Sequence, residues 1–204
     1  TINSFRLSNG IRVVHQYIPT TNIVHCGIFL GIGSRDETLK NQGIAHFWEH
    51  MAFKGTGGRT AFQIASEIEN VGGEINAATS VETTSFYARV LSDDIPLAVD
   101  ILADILSDSS FDPDELEREQ HVILQEIGAA QDTPDDRVYD LFTEAAFPGQ
   151  PIGRNILGTP ATVQAVSAPM RITCASSERS EPFGFSRLRT PPVPGGRSSP
   201  SVRT

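Results

Sequence analysis

The stretch Gly43-Ile-Ala-His-Phe-Trp-Glu-His-Met-Ala-Phe-Lys-Gly-Thr56 decides both the fold and the chemistry expected of this chain. Its apolar residues have helical spacing from Ile44 to Lys54 and the run stops at a glycine, which predicts a helix. His46 and His50 are four residues apart and therefore share one helix face. Neutral imidazoles at this spacing can hold one metal ion, and zinc suits them. Glu49 is one position from His50 and three from His46, so it can overhang the same ion without being a ligand.

A catalytic zinc site needs a third protein ligand and keeps one position open for water. A second helix is predicted to begin at Asp112-Pro113, an N-cap followed by proline, and to run to about Ala130. It offers five candidate ligands, Glu115, Glu117, Glu119, His121 and Glu126. Helical geometry places Glu119 and Glu126 on one stripe and Glu117 on the opposite, solvent-facing side. Apolar neighbours around Glu126 predict a mostly buried carboxylate, for which a metal is a good partner.

Simpler interpretations of these residues stay open on the sequence alone. Two histidines and a glutamate also fit the surface of an ordinary helix. Each glutamate of the second helix, taken singly, is typical of a solvated side chain. A soluble α/β scaffold with incidental histidines is therefore an alternative to a metal site.

The rest of the chain predicts short strands and helices in alternating blocks. Asn9-Gly10 is a strong signal for a two-residue hairpin loop between the first two strands. Strands grouped in pairs predict an α+β domain: a two-layer antiparallel or mixed sheet with helices packed on one face. The predicted strands cover residues 5–7, 11–18, 22–31, 74–79 and 83–90. Further helices are predicted over 61–71 and 95–106, another after Thr133-Pro134, and a short one after Thr159-Pro160.

Composition changes sharply near Pro169. Residues 169–204 contain six arginines and two glutamates, whereas residues 1–168 contain ten basic and 23 acidic side chains. The tail is also rich in serine and proline and has no apolar period. We therefore predict a domain over residues 1–168 and a disordered tail over 169–204. A basic tail that binds acidic partners is the functional alternative.

Overall averages exclude several classes of protein. A net charge of −9 disfavours a nucleic-acid binder. No apolar run approaches the ~18 residues of a membrane-spanning helix. Two cysteines, Cys26 and Cys174, are too few for a disulfide framework or a cysteine-rich zinc module. These features favour a soluble protein of the cytoplasm, or of the mitochondrial matrix if the source is eukaryotic.

The segment 43–56 resembles the pitrilysin/insulinase family of inverted-motif zinc metallopeptidases. It is most similar to the branch that contains the catalytic subunit of mitochondrial processing peptidase and its bacterial relatives. The similarity continues through segments 71–77, 117–127 and 153–160, and it covers about residues 3–167.

This resemblance implies a ligand set and roles for the acidic residues. One zinc ion per chain would be held by His46, His50 and Glu126, the last at the spacing that this branch uses. The implied catalytic residues are Glu49, the general base, and Glu119, a carboxylate near the metal that supports the site.

The strand at 74–79 resembles the family's substrate-binding edge, where an extended peptide adds as a further strand. Asn76 and Ala77 would contact the peptide there, although an ordinary edge strand of small residues also fits this pattern.

The function implied by the resemblance is that of a zinc-dependent metalloendopeptidase acting on extended peptides or presequence-like segments. The similarity ends near Val166–Ser167, whereas members of the family continue and enclose peptides between two similar halves. We therefore expect a truncated domain, the incomplete first half of a clamshell peptidase. Its expected partners are a peptide substrate and a second half-subunit or homodimer mate. The alternative is a truncated, non-catalytic zinc-binding remnant or assembly subunit.

Overall fold

A computed structural model describes residues 2–167 of the 204-residue chain and shows an α+β domain, which confirms the predicted fold class. The boundary predicted at residue 168 and the tail predicted to be disordered lie outside the described residues. No helix within residues 2–167 combines the length and apolar character needed to cross a bilayer. The strands are β1 (Ile2–Arg6), β2 (Arg12–Gln16), β3 (Ile23–Leu30), β4 (Glu74–Thr79) and β5 (Thr84–Leu91). The helices are α1 (Ile44–Ala52), α2 (Ala61–Asn70), α3 (Ile95–Ser107), α4 (Pro113–Asp132), α5 (Pro134–Ala146) and α6 (Pro160–Gln164).

All described strand pairs are antiparallel and form two sheets. Strands β1 and β2 form a hairpin, and the second sheet has the order β3-β5-β4. Every second residue of the central strand β5 is buried, including Phe86 and Ala88, and these residues face the core against α2 and α3. The predicted two-residue hairpin loop is wrong by one residue. Leu7 and Ile11 still share a backbone hydrogen bond of 2.9 Å, so the loop is Ser8–Gly10.

Helix α1 lies between two apolar clusters. On one side, Ala52 is buried in the core of the three-stranded sheet, and the Trp48 ring meets Phe86 edge to face, with centroids 5.1 Å apart. On the other side, Phe47 and Met51 pack against α4. Because both flanks of α1 are covered, the helix cannot rotate without losing buried contacts on at least one side.

A glutamate from the preceding loop caps the start of α1. The residue at the N-cap is Gly43, which has no side chain to offer. The Glu37 carboxylate accepts hydrogen bonds from the Gly43 and Ala45 backbone N–H groups at 2.7 and 2.8 Å. Two donors of the first turn are thereby satisfied.

Gly43 also lies against Gly158, in the loop before α6. A Cβ on Gly43 would come within 2.6 Å of the Leu157 carbonyl oxygen, and one on Gly158 within 2.5 Å of the Gln42 carbonyl oxygen. Both glycines have positive φ, +88° and +80°. Only glycine fits at either position, because any side chain would collide with the backbone of the other loop.

Helix α4 begins where the sequence predicts. The Asp112 carboxylate accepts from the backbone N–H groups of Asp114 and Glu115 at 2.9 and 3.3 Å, and Pro113 occupies the first turn. Helix α6 then packs on α4, and the Gln120 amide donates to the Val166 carbonyl at 2.8 Å. The apolar contacts between α1, α4 and α6 fix the relative position of the two helices that carry the candidate ligands.

Candidate metal centre

The two histidines of α1 point their Nε2 atoms at one spot. His46 Nε2 and His50 Nε2 are 3.2 Å apart, and the rings meet edge to face with centroids 4.6 Å apart. This follows from the helix, because residues four apart lie one above the other on the same face.

Glu126 of α4 completes a triangle of possible donor atoms. Its Oε2 lies 3.6 Å from His46 Nε2 and 3.7 Å from His50 Nε2. A point about 2 Å from all three atoms exists inside such a triangle, which matches the roughly 2.0–2.2 Å bonds that zinc makes to nitrogen and oxygen. These three residues can therefore hold one metal ion.

His46 is in the protonation state that binds a metal. Burial, reinforced by the neighbouring His50 ring, lowers the pKa of His46 to about 4. Its imidazole is consequently neutral at pH 7 and has a lone pair available for an ion. Its other nitrogen, Nδ1, is buried and has no hydrogen-bond partner within residues 2–167.

His50 is held from its other nitrogen by a second carboxylate of α4. Its Nδ1 is 2.9 Å from Glu119 Oε2, and Glu119 Oε1 is 2.7 Å from the ammonium of Lys54. A carboxylate only accepts, so Nδ1 carries the proton and Nε2 keeps a free lone pair toward His46 and Glu126.

Glu49 is next to this triangle and is not a member of it. It precedes His50 on α1, and its charge raises the pKa of His46, so the two side chains are electrostatic neighbours. Its Oε2 is buried and makes no hydrogen bond to the part of the chain that the structure describes. This oxygen is therefore free to accept a proton.

The predicted burial of Glu126 is wrong. Its side chain is 44% exposed, whereas the Glu119 side chain is only 6% exposed. The inward face of α4 is occupied by Ile123 and Ile127, which leaves Glu126 at the rim where α4 faces α1. Glu115, Glu117 and His121, the other candidates on α4, do not join the cluster of possible metal ligands.

The proposed peptide-binding residues lie on an edge strand. Strand β4 pairs only with β5 among the described strands, so its other side is an edge. Asn76 is exposed and Ala77 is buried, and the Asn76 side-chain oxygen accepts a hydrogen bond from the Ala77 N–H at 2.8 Å. This edge lies beside α1, since the Thr79 hydroxyl donates to the Ala45 carbonyl at 3.5 Å. A role in substrate binding stays a prediction.

Two residues that contact elements of the candidate site, Lys54 and Glu37, were not predicted from the sequence. Lys54 is four residues after His50, a spacing that places both residues on the same face of the predicted helix 44–54. Glu37 caps α1 from a loop, and no local pattern signals that contact.

A family model described as insulinase, peptidase family M16, matches residues 12–160, which include every residue of the candidate metal centre. The chain belongs to this family. The resemblance seen in the sequence is thereby confirmed.

Two curated relatives of this M16 chain are close in sequence over most of its length. An uncharacterized zinc protease of Rickettsia bellii (strain RML369-C) is 47% identical over 162 residues, covering 79% of this chain and 39% of its own. The beta subunit of the mitochondrial-processing peptidase of Saccharomyces cerevisiae is 45% identical over 162 residues, covering 79% of this chain and 35% of its own. The chain thus matches 35% to 39% of the length of these relatives.

A solved structure supports the same M16 fold. The crystal structure of a protease from Helicobacter pylori superposes with a TM-score of 0.78 at 25% sequence identity. The match covers 82% of this chain and 41% of the Helicobacter pylori chain.

Proposed function

We propose that this chain is the metal-binding part of a zinc-dependent metalloendopeptidase that hydrolyses extended peptides or presequence-like segments. The observation that carries the proposal is the triangle of His46, His50 and Glu126 donor atoms beside the free, buried Oε2 of Glu49. Membership of the M16 family, and relatives that are named zinc proteases, support the same chemistry.

The donor set fits one zinc ion per chain in a catalytic site. Two imidazole nitrogens and one carboxylate oxygen are ligands that zinc accepts, and catalytic zinc sites use three protein ligands. A purely structural zinc site is normally closed by four ligands. The open rim around Glu126 leaves room for a further group next to the triangle.

Zinc bound by these residues supplies Lewis acidity, which makes water more acidic and polarises a peptide carbonyl. The side chains divide the remaining work. Glu49 accepts the proton of the attacking water at Oε2 and later delivers it to the amine that leaves the cleaved bond. The Glu119 carboxylate accepts a hydrogen bond from His50 Nδ1–H and so orients the ring with Nε2 toward the metal position.

The free edge of β4 is the proposed docking place for the peptide. An extended substrate would pair with this edge through main-chain hydrogen bonds near Asn76 and Ala77. To use the Ala77 N–H, the substrate must displace the Asn76 side-chain oxygen that now occupies it.

A partner completes the proposed enzyme. We propose that a second half-subunit or homodimer mate covers the open side of the site, as the paired halves implied by the family resemblance would. If the mate is a second copy, cleavage per chain should rise with chain concentration, since the dimer population rises. If the mate is a different chain, this chain alone should cleave no peptide at any concentration until that mate is added.

The central experiment measures zinc content and peptide cleavage of the full 204-residue chain, with and without a chelator. We expect one zinc per chain and cleavage of an unstructured peptide that the chelator abolishes. Zinc binding without cleavage at any chain concentration would contradict a homodimeric enzyme and would support the non-catalytic remnant or a requirement for a different mate. Absence of zinc binding would contradict both interpretations.

Glu49→Gln tests the assignment of the general base. The variant should keep its zinc, because Glu49 is outside the donor triangle, and lose at least about 10²-fold in kcat, the usual contribution of a positioned base. The matched control is Glu69→Gln, which makes the same change on an exposed position of α2. Retained cleavage by Glu49→Gln would refute the assignment.

A further inference from the structure

We propose that Lys54 is a positioning residue of the metal centre, acting on the His50 ligand through the buried carboxylate of Glu119. This inference rests on the proposed zinc function and adds a residue to it. It is based on a chain of three contacts that joins the end of α1 to α4 and returns to α1.

The geometry of the chain is continuous. Lys54 Nζ is 2.7 Å from Glu119 Oε1, and Glu119 Oε2 is 2.9 Å from His50 Nδ1. His50 Nε2 then lies 3.2 Å from His46 Nε2, at the donor triangle. Each oxygen of the carboxylate therefore has its own partner, and the plane of the carboxylate is fixed from both sides.

The burial of Glu119 gives Lys54 its importance. A carboxylate whose side chain is 6% exposed has lost nearly all of its water, and an isolated anion in such a place is costly. Within residues 2–167, Lys54 is the cation that contacts it. An ion pair with one deeply buried member is coupled more strongly than an exposed surface pair, because water screens it less.

The two histidine ligands differ in how they are held. The His46 side chain is 9% exposed and is constrained by packing, while its Nδ1 has no partner among the described residues. The His50 side chain is 22% exposed and less confined, but Glu119 holds its ring. Loosening Glu119 should therefore affect the metal centre through His50.

The other lysine of the chain, Lys40, supplies a matched control. The sequence contains two lysines, Lys40 and Lys54, and Lys40 is exposed in the loop before α1. No ion pair of Lys40 is found in the described part of the chain. Lys40→Met thus removes the same ammonium group from a position where it forms no ion pair within residues 2–167.

The test measures the dissociation constant for zinc by competition with a chelating dye, using the full chain. Lys54→Met should weaken zinc binding about 10- to 100-fold, the usual effect of removing a partner that orients a ligand. Lys54→Arg, which keeps a cation there, should recover most of that loss. Lys40→Met should bind as tightly as the wild type.

A double-mutant cycle with Glu119→Gln shows whether Lys54 acts through Glu119. In the Glu119→Gln background, Lys54→Met should cause no further weakening, because the carboxylate that Lys54 orients is already gone. If Lys54 merely stabilised the fold, its loss would weaken zinc binding equally in both backgrounds. Equal weakening would overturn the proposal.

Failure of this inference and failure of the proposed function give different results. A wild-type chain that binds zinc while Lys54→Met binds it equally well would overturn the role of Lys54 alone. A wild-type chain that binds no zinc would overturn the proposed function, and this role with it.

Discussion

At the scale of single residues, the centre depends on His50 being contacted from both of its nitrogens by one helix. Glu119 and Glu126 are seven residues apart on α4, two turns, so both reach toward α1. Glu119 takes Nδ1 at 2.9 Å, and Glu126 lies 3.7 Å from Nε2. One carboxylate therefore orients the ring, and the other is placed to share an ion with it.

The carboxyl group that caps α1 should produce a measurable pH dependence. Burial raises the pKa of Glu37 above its ordinary value, against the backbone hydrogen bonds to Ala45 and Gly43 and the charge of Arg154, which lower it. Asp36 adds to the increase. The folded chain then binds this proton more tightly than the unfolded chain, so the stability linked to Glu37 is present at low pH and decreases as pH rises through the raised pKa.

We expect Glu37→Gln to remove this titration. The difference in free energy of unfolding between wild type and variant should change with pH just above 4.5, the ordinary value for this group, and level off above the raised pKa. Urea titrations of both proteins from pH 4 to about 7, without metal, measure it. A difference that is constant across that interval would contradict the burial of Glu37 as the cause.

Residues of the site differ in how well the sequence alone could place them. His46, Glu49 and His50 share one short helix, so local spacing sufficed to bring them together. The side of α4 that carries Glu119 and Glu126 could also be derived from helical geometry. Their burial could not, because it depends on how deeply α4 packs against α1, which no local pattern encodes. For the same reason the contacts of Lys54 and Glu37 required the structure.

At the scale of secondary-structure elements, the packing of α1 on α4 determines whether the ligands meet. Met51 and Phe47 from α1 share a cluster with Ile123 and Ile127 from α4. The starts of α2, α4 and α6 were predictable because a threonine or aspartate N-cap precedes each helix. In α4 and α6 the first helical residue is also a proline. The order β3-β5-β4 was not, because pairing between distant strands leaves no local trace.

Two neighbouring residues of α4 test this interface. Ile123 is fully buried, whereas Val122 is 45% exposed. Ile123→Ala should lower the free energy of unfolding by roughly 2–5 kcal/mol, through lost burial and the cavity left behind. Val122→Ala should change it by no more than about 0.5 kcal/mol. Urea unfolding of the two variants measures both values, and similar values would contradict the buried α1–α4 contact.

At the scale of the whole molecule, a metal would join two helices that are far apart in the chain. Its proposed ligands come from α1 and α4, and His50 and Glu126 are 76 residues apart in the chain. An ion that binds the folded chain and not the unfolded one stabilises the fold by mass action.

Zinc should therefore raise the thermal unfolding midpoint, and a chelator should reverse the increase. At a free zinc concentration of about 100 times the dissociation constant, the gain is about 2.7 kcal/mol. His50→Ala should abolish the gain, whereas His121→Ala, an exposed histidine of α4 outside the donor triangle, should retain it. Thermal melts of the three proteins with and without zinc measure the effect. An undiminished gain in His50→Ala would place the stabilising ion elsewhere.

The back-to-back glycines Gly43 and Gly158 have a consequence for short members of such families. Their two loops are in contact although Gln42 and Asn155 are 113 positions apart in the sequence. The first turn of α1 therefore packs against a segment that is encoded much later. A gene fragment that ended before Leu157 would still encode all three donor residues, yet its product would lack the surface on which α1 begins. Ligand motifs are therefore an insufficient criterion for assigning metal binding to abbreviated genes, and the presence of the later glycine is a second one to apply.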